Sequence, residues 1–280
     1  MTAGEAPAAE RRVRALLREM GSVVVALSGG VDSRLLLDLA VDELGAGRVL
    51  AVTAVDAVFP AGEREVAAQS AAAAGVDHRQ VVIGVLQEEG FLVNPPDRCY
   101  VCRTALCRQL WAVAGEVGFQ NVADGSNADD LQDYRPGLRA AREAGVRSPL
   151  AEAGVTKAQV RALCRSRGLS HADAPSSPCL ASRLPYGERV SPERLARIAA
   201  AERLVRSLGF REVRVRDHGT LARIEVPAAG LPALADLDLR TIVVREMKAL
   251  GFAYVALDLQ GLRSGSLNEV LPYEPSGGVS

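Results

Sequence analysis

Two groups of residues in this 280-residue chain have the types and spacing of reacting groups. They are the hexapeptide Ser28-Gly29-Gly30-Val31-Asp32-Ser33 and three cysteines, Cys99, Cys102 and Cys179. The hexapeptide lies between the apolar run Val23–Leu27 and a leucine-rich segment that starts at Arg34. A buried strand there would deliver a glycine turn to the start of a helix, where unpaired N–H groups and the helix dipole favour phosphate. The loop lacks the Gly-Lys-Ser/Thr of a Walker A motif, so it carries no lysine of its own to reach a γ-phosphate. The hydroxyls of Ser28 and Ser33, with the amides around Gly29 and Gly30, form a cradle suited to pyrophosphate, and Asp32 stands at its rim as a ligand for a cation.

Cys99-Tyr100-Val101-Cys102 reads as half a zinc site, a redox pair or part of an iron–sulfur ligand set. For zinc, His171 is the histidine nearest Cys179 in sequence. Cys107 and Cys164 fall within helical patterns and are expected to be buried and structural. Trp111 is expected in the core, and His78 and His218 at solvated turns. The run Asp124-Gly125-Ser126-Asn127-Ala128-Asp129-Asp130 follows a short apolar segment. Its Asp129 and Asp130 suit Mg²⁺ on phosphates, or equally turns and helix starts, and Asp133 is open in the same way. Arg183 follows Cys179 closely; its guanidinium suits a phosphate and would favour a neighbouring thiolate. Arg214 and Arg216, two apart in a strand pattern, share a face. Glu202 and Glu225 are candidate partners for them or acid–base groups, with a solvated ion-pair surface expected for at least two of these four.

The elements that must position these groups alternate. Strands are expected at Val23–Leu27, Arg48–Ala54, Arg79–Gly84 and Asn121–Asp124. Helices are expected at Arg34–Leu44, Glu63–Ala74, Thr104–Val117, Pro136–Ala144 and Lys157–Arg167. This is the pattern of a doubly wound parallel α/β sheet, whose ligands bind beyond the carboxyl ends of the strands. Both the Ser28–Ser33 and the Asp124–Asp130 loops would face that crevice. The expected organisation is a nucleotide domain over 1–172, a linker over 173–190 that carries Cys179, a smaller C-terminal α/β domain over 191–272 and a mobile tail over 273–280. In the C-terminal domain a helix starts at Ser191-Pro192. Strands Arg211–Arg216 and Leu221–Val226 flank an Asp217-His218-Gly219 turn, and a helix Leu239–Leu250 precedes a strand Ala253–Leu257.

Composition narrows the class. Net charge is −1 and aromatic residues are 4%, so neither a basic footprint nor stacking platforms point to nucleic acid. No apolar h-region opens the chain and no window is long enough for a membrane span, so a cytoplasmic protein is expected. Five cysteines in such a chain favour metal or reactive thiols over disulfides.

The hexapeptide resembles the PP-loop of the ATP pyrophosphatases. With Arg98–Arg103, the Asp124–Asp130 run, Asp133-Tyr134-Arg135-Pro136-Gly137 and Cys179–Arg183, nearly the whole chain resembles the LarE-type sulfur transferases of that superfamily. The resemblance implies a fold of the HUP-like adenine nucleotide α-hydrolase type, ATP and Mg²⁺ at Ser28, Gly29, Gly30, Asp32, Ser33 and Asp129, and adenine near Val52–Asp56. It implies adenylation of the carboxylates of pyridinium-3,5-biscarboxylic acid mononucleotide and their conversion to thiocarboxylates for the nickel-pincer cofactor of lactate racemase. Sulfur would come from Cys179 itself, leaving dehydroalanine, or from a sulfide on a [4Fe–4S] cluster held by Cys99, Cys102 and Cys179; the paired cysteines favour the cluster. Cys179, Arg183, Glu202 and Glu225 form the expected catalytic set, and a hexamer or another homo-oligomer is the expected assembly. The alternatives are a PP-loop enzyme that thiolates tRNA, an ammonia-using amide synthetase, and a nucleotide sensor or metal store without turnover. The first lacks a basic stripe, and the second leaves the three cysteines without a task.

Overall fold

The computed structural model describes residues 5–132, 136–169, 178–263 and 265–270. Asp133, Tyr134, Arg135, His171, the 173–177 part of the expected linker and the expected tail lie outside the described residues. Backbone contacts divide the chain into two compact units, Met1–Cys179 and Leu180–Ser280.

The first unit runs α1 (Glu5–Met20), β1 (Val23–Ala26), α2 (Val31–Leu44), β2 (Val49–Val55), α3 (Ala61–Ala74), β3 (Asp77–Val82), α4 (Glu89–Leu92), α5 (Arg98–Val117), β4 (Val122–Ala123), α6 (Pro136–Glu143), α7 (Pro149–Glu152) and α8 (Lys157–Ser166). The four strands form one all-parallel sheet in the order β3-β2-β1-β4. The central strands β1 and β2 are largely buried on both faces, as crossover helices require, whereas the edge strand β3 is largely exposed. Val23 and Val25 of β1 pack with Leu35 and Leu39 of α2, Val13 and Leu17 of α1 and Leu163 of α8. Val24, pointing the other way, packs with Leu110 and Val113 of α5 and Ala141 of α6. The sheet is therefore doubly wound, and every β–α turn falls at one edge.

Three local differences from the sequence pattern matter. Helix α5 begins at Arg98 rather than Thr104, because Pro95-Pro96 closes the preceding segment and the Asp97 carbonyl accepts the Tyr100 amide at 2.7 Å. Cys99 and Cys102 thus stand at i and i+3 on one helix face. His78 lies in β3, not at a turn, and its Nε2 meets Thr53 Oγ1 at 2.8 Å. His218 closes β5 opposite Leu221 and is half-buried, so the hairpin turn is Gly219-Thr220.

The second unit runs α9 (Pro192–Ser207), β5 (Arg214–His218), β6 (Leu221–Glu225), α10 (Leu231–Ala235), α11 (Leu237–Ala249) and β7 (Tyr254–Leu257). Its sheet order is β5-β6-β7, with an antiparallel hairpin and a parallel return. Ala201 and Val205 of α9 and Val243 and Met247 of α11 cover Val215, Ala222 and Ile224. Ser191 caps α9 by accepting the Arg194 amide. Asp217, fully buried, accepts Arg194 Nη2 at 2.9 Å, Arg197 Nη2 at 2.6 Å and the Gly219 amide at 2.9 Å, which locks the hairpin to α9. Asp217→Ala should cost about 1.5–3 kcal/mol, the scale of hydrogen bonds to charged groups. The checks are chemical denaturation and faster amide exchange across β5 and β6.

Candidate active site

The turn from β1 into α2 is held by its own hydroxyls. Ser33 Oγ donates to the Gly30 carbonyl at 3.0 Å and accepts the Ser28 amide at 3.2 Å, and the two serine hydroxyls lie 3.1 Å apart. Gly29 has φ +83°, and a Cβ there would lie 2.7 Å from the Glu63 carbonyl oxygen of α3. Only glycine meets both demands. Gly125 is held from the other side: a Cβ on it would lie 2.6 Å from the Ser33 nitrogen and 2.8 Å from its Cα. The loop after β4 is thus pressed against the loop after β1.

That second loop is organised by its polar side chains. Asn127, almost wholly buried, gives Nδ2 to Asp32 Oδ1 at 3.2 Å and accepts the Asp129 amide on Oδ1 at 3.0 Å. Asp130 Oδ2 accepts the Asn127 amide at 2.9 Å, and Asp129 Oδ2 accepts the Lys157 amide at 2.9 Å. Both aspartates therefore serve a turn and a helix start, whatever else they bind. Lys157 lies in none of the sequence motifs. Thr156 and Gln159 form a capping box that starts α8, and this sets Lys157 at the first helical position. Its Nζ pairs with Asp32 across 125 residues of sequence. A cation absent from the hexapeptide reaches it from a distant helix.

The thiols occupy the same edge of the sheet. Cys102 lies within electrostatic reach of Cys179, Cys99 and Arg103, and also of Asp56, which follows β2. Its thiol is pushed up to about 12, first by burial and then by Cys179 and Cys99, while Arg103 opposes the rise. Arg103, the next residue on α5, pairs with Asp124 at the end of β4. Gly137 of α6 faces the same turn: a Cβ placed on it would lie 3.5 Å from the Cys99 carbonyl oxygen and 3.6 Å from the Arg103 Cβ. Tyr100 is held by Glu143 at 2.5 Å, with Arg139 over its ring. Cys107 and Cys164 are buried within α5 and α8, and Trp111 donates Nε1–H to the Ala144 carbonyl at 2.7 Å.

Among the described residues no three His, Cys, Asp or Glu side chains converge on a single ion position. A four-iron cubane takes one thiolate per iron, so its ligands surround a volume instead of meeting at a point. Three neighbouring thiols suit such a soft cluster in donor type.

The second unit holds a separate nest of charge. Arg183 gives Nε to Glu202 Oε1 at 2.7 Å, and Glu202 also accepts Arg206 Nη2 at 2.8 Å and the Val215 amide at 3.2 Å. Arg216 binds Glu225 through Nε and Nη2, both at 2.9 Å, and gives Nη1 to the Ser182 carbonyl at 2.6 Å. Arg183, Glu202, Arg216 and Glu225 are all buried. The expected solvated surface is therefore not found for Glu202, Glu225 or Arg216, because the hairpin and α9 close over them. Arg214 is half-buried, gives Nη1 to the Arg263 carbonyl at 2.9 Å and has its pKa lowered by burial and by the charges of Arg216 and Arg183.

A pyridinium-3,5-bisthiocarboxylic acid mononucleotide synthase of Lactiplantibacillus plantarum is 40% identical over 257 residues, 92% of this chain and 92% of that protein. The chain belongs to the LarE-type sulfur transferase family. An uncharacterized protein of Synechocystis sp. is 42% identical over 260 residues, 92% of this chain and 96% of that protein. An uncharacterized protein of Methanocaldococcus jannaschii is 28% identical over 180 residues, 64% of this chain and 69% of that protein. No family model matches the chain. As a LarE-type protein the chain is an enzyme, and among the described residues no helix is long and apolar enough to cross a membrane.

One prediction tests the packing of the loop after β4 and a second the buried thiols. Gly125→Ala should destabilise by about 1–3 kcal/mol, as overpacking against backbone does. Gly47→Ala, which meets nothing within 4 Å, should be neutral. Thermal melts of the two variants check this. The second concerns pH. Cys102 is pushed up to about 12 and Cys164, chiefly by burial, to about 11. An unfolded cysteine ionises near pH 8.5, so above about pH 9 the unfolded chain binds fewer protons than the folded one. Stability should fall as pH rises from about 9 to about 11, and Cys164→Ala should flatten part of that slope in melts followed against pH.

Proposed function

We propose that the protein is an ATP-dependent sulfur transferase that converts the carboxylates of pyridinium-3,5-biscarboxylic acid mononucleotide to thiocarboxylates for the nickel-pincer cofactor, releasing AMP and pyrophosphate. The observation that carries this proposal is the shared edge. Cys102, with Cys179, Cys99 and Asp56 around it, is joined through Arg103 and Asp124 to the loop that presses on Ser33. The printed name of the L. plantarum relative supports the product class.

In this proposal Ser28, Gly29, Gly30 and Ser33 cradle the departing pyrophosphate, and Lys157 supplies the positive charge that the hexapeptide lacks. Asp32 and Asp129 carry hard oxygen donors of the kind Mg²⁺ takes; when bound, the ion would neutralise phosphate charge. A substrate carboxylate oxygen attacks the α-phosphorus and the bond to pyrophosphate breaks, which makes AMP a leaving group on the acyl carbon. Cys99, Cys102 and Cys179 would hold a [4Fe–4S] cluster, whose open iron would supply a sulfide to the acyl carbon. A second reading rests on Cys179 alone. Its sulfur attacks the acyl carbon and AMP leaves; loss of the Cα proton then breaks the Cβ–S bond, giving thiocarboxylate and dehydroalanine.

Arg183, Glu202 and Glu225 keep their place in the proposed set with altered duties. Each glutamate is engaged by two guanidinium groups, which suits orienting Arg183 and Arg216 better than shuttling protons. Arg214, crowded by like charge, suits the phosphate of the mononucleotide. The enzyme would act in the cytoplasm, as a homo-oligomer, on a small nucleotide and not on nucleic acid.

The test is anaerobic turnover with ATP and the biscarboxylate nucleotide. Equal release of AMP and pyrophosphate with thiocarboxylate product is expected, with the intact chain mass unchanged. A loss of one H₂S per reacted chain, localised to residue 179, selects the second reading. Absence of substrate-dependent pyrophosphate overturns both.

A further inference from the structure

Asp124 is a buried carboxylate at the end of β4, 2% exposed, and it sits between the two halves of the proposed chemistry. Its Oδ1 accepts Ser148 Oγ at 2.8 Å and the Ser126 amide at 3.0 Å, and its own amide donates to the Arg147 carbonyl at 2.9 Å. Those bonds fix the start of the loop whose next residue, Gly125, abuts Ser33 of the phosphate cradle. Its Oδ2 is taken by Arg103 of α5. A buried carboxylate is costly without a cation, so this pair resists parting. Arg103 cannot move alone either. It follows Cys102 on the first turns of α5, and α6 runs close beside it: a Cβ placed on Gly137 would lie 3.6 Å from the Arg103 Cβ and 3.5 Å from the Cys99 carbonyl oxygen. Cys99-x-x-Cys102, Arg103, Asp124, Gly125 and Ser33 thus form an unbroken series of close contacts.

We infer that Arg103 is a positioning residue that couples occupancy of the nucleotide loop to the exposure of the Cys99 and Cys102 thiols. This rests on the nucleotide reading above and extends it, since neither reading of the sulfur source requires the two sites to be coupled. A ligand that tightens the Ser28–Ser33 loop tightens Asp124, and through Arg103 the cysteine turn. The lysine ammonium keeps the charge and loses the two-pronged fork, so Arg103→Lys should keep part of the coupling.

The experiment uses the full chain with its thiols reduced and metal-free. Calorimetry first gives the affinity of each variant for ATP, whose β- and γ-phosphates are the part the Ser28–Ser33 loop would cradle. N-ethylmaleimide labelling of Cys99 and Cys102 is then timed by mass spectrometry, with and without saturating ATP. Saturating ATP should slow labelling of the wild-type chain on the order of fivefold, the low end of ordinary coupling between sites. The slowing should vanish in Arg103→Met and be intermediate in Arg103→Lys. It should persist in Arg108→Met, an exposed arginine on the same helix that pairs only loosely with Glu88. Undiminished slowing in Arg103→Met would show that the nucleotide shields the thiols directly, and would overturn the inference. So would a wild-type chain that binds ATP with no change in labelling. A wild-type chain that fails to bind ATP in calorimetry would overturn the inference together with the nucleotide reading, and calorimetry distinguishes that case from the others. If Arg103→Met does not fold, the Arg103→Lys result decides: slowing equal to wild type counts against the inference and reduced slowing for it.

Discussion

The contact of Gly125 with the Ser33 backbone is the constraint on which the rest of the first unit depends. A parallel sheet brings the loops after β1 and β4 to the same edge, but adjacency of strands alone would leave them several ångströms apart. The missing side chain at 125 allows backbone to lie against backbone. Once the loops touch, Asn127 can reach Asp32, Asp129 can receive the start of α8, and Lys157 can reach Asp32 in the loop after β1. A single larger side chain would push all of these out of register together.

From that contact follows a division of labour. The Ser28–Ser33 loop provides hydroxyls and amides, the loop after β4 provides carboxylates and an amide, and α8 provides the ammonium group of Lys157 on Asp32. Helix α5 adds two thiols on one face, with Cys179 near them. The second unit gathers paired guanidinium and carboxylate groups and an arginine crowded by like charge. This inventory suits the proposed chemistry, in which a nucleotide first activates a carboxylate and sulfur is then delivered. Activation needs anion-binding groups and cations, whereas delivery needs a soft nucleophile kept out of water.

Much of this was legible in the chain itself. The four strands of the parallel sheet and the Ser28–Ser33 loop follow from valine runs punctuated by glycine, a local signal. The LarE-type family was legible in motifs spread from residue 28 to residue 183, and the L. plantarum relative bears it out. What escaped was long-range or weakly patterned. Helix α1 buries small and medium residues, Ala9, Val13 and Leu17, at a strict four-residue spacing within an arginine-rich segment, and that stripe is too narrow to stand out. Lys157 and Arg103 look like ordinary surface charges until folding supplies Asp32 and Asp124 as partners. The start of α5 was hidden by two prolines that read as loop but only precede the first turn. The burial of Glu202, Glu225 and Arg216 could not be read from strand alternation, because it depends on α9 closing over the hairpin.

The most direct measurement is affinity labelling with an adenosine that carries a chloroacetamide at its 5′ position, followed by peptide mapping. If the sulfur-bearing thiols stand beside a nucleotide on the phosphate loop, saturable alkylation falls on Cys179 or Cys102 and excess ATP suppresses it. Saturable labelling confined to Cys107 or Cys164, or competed binding with no thiol modified, would contradict the account.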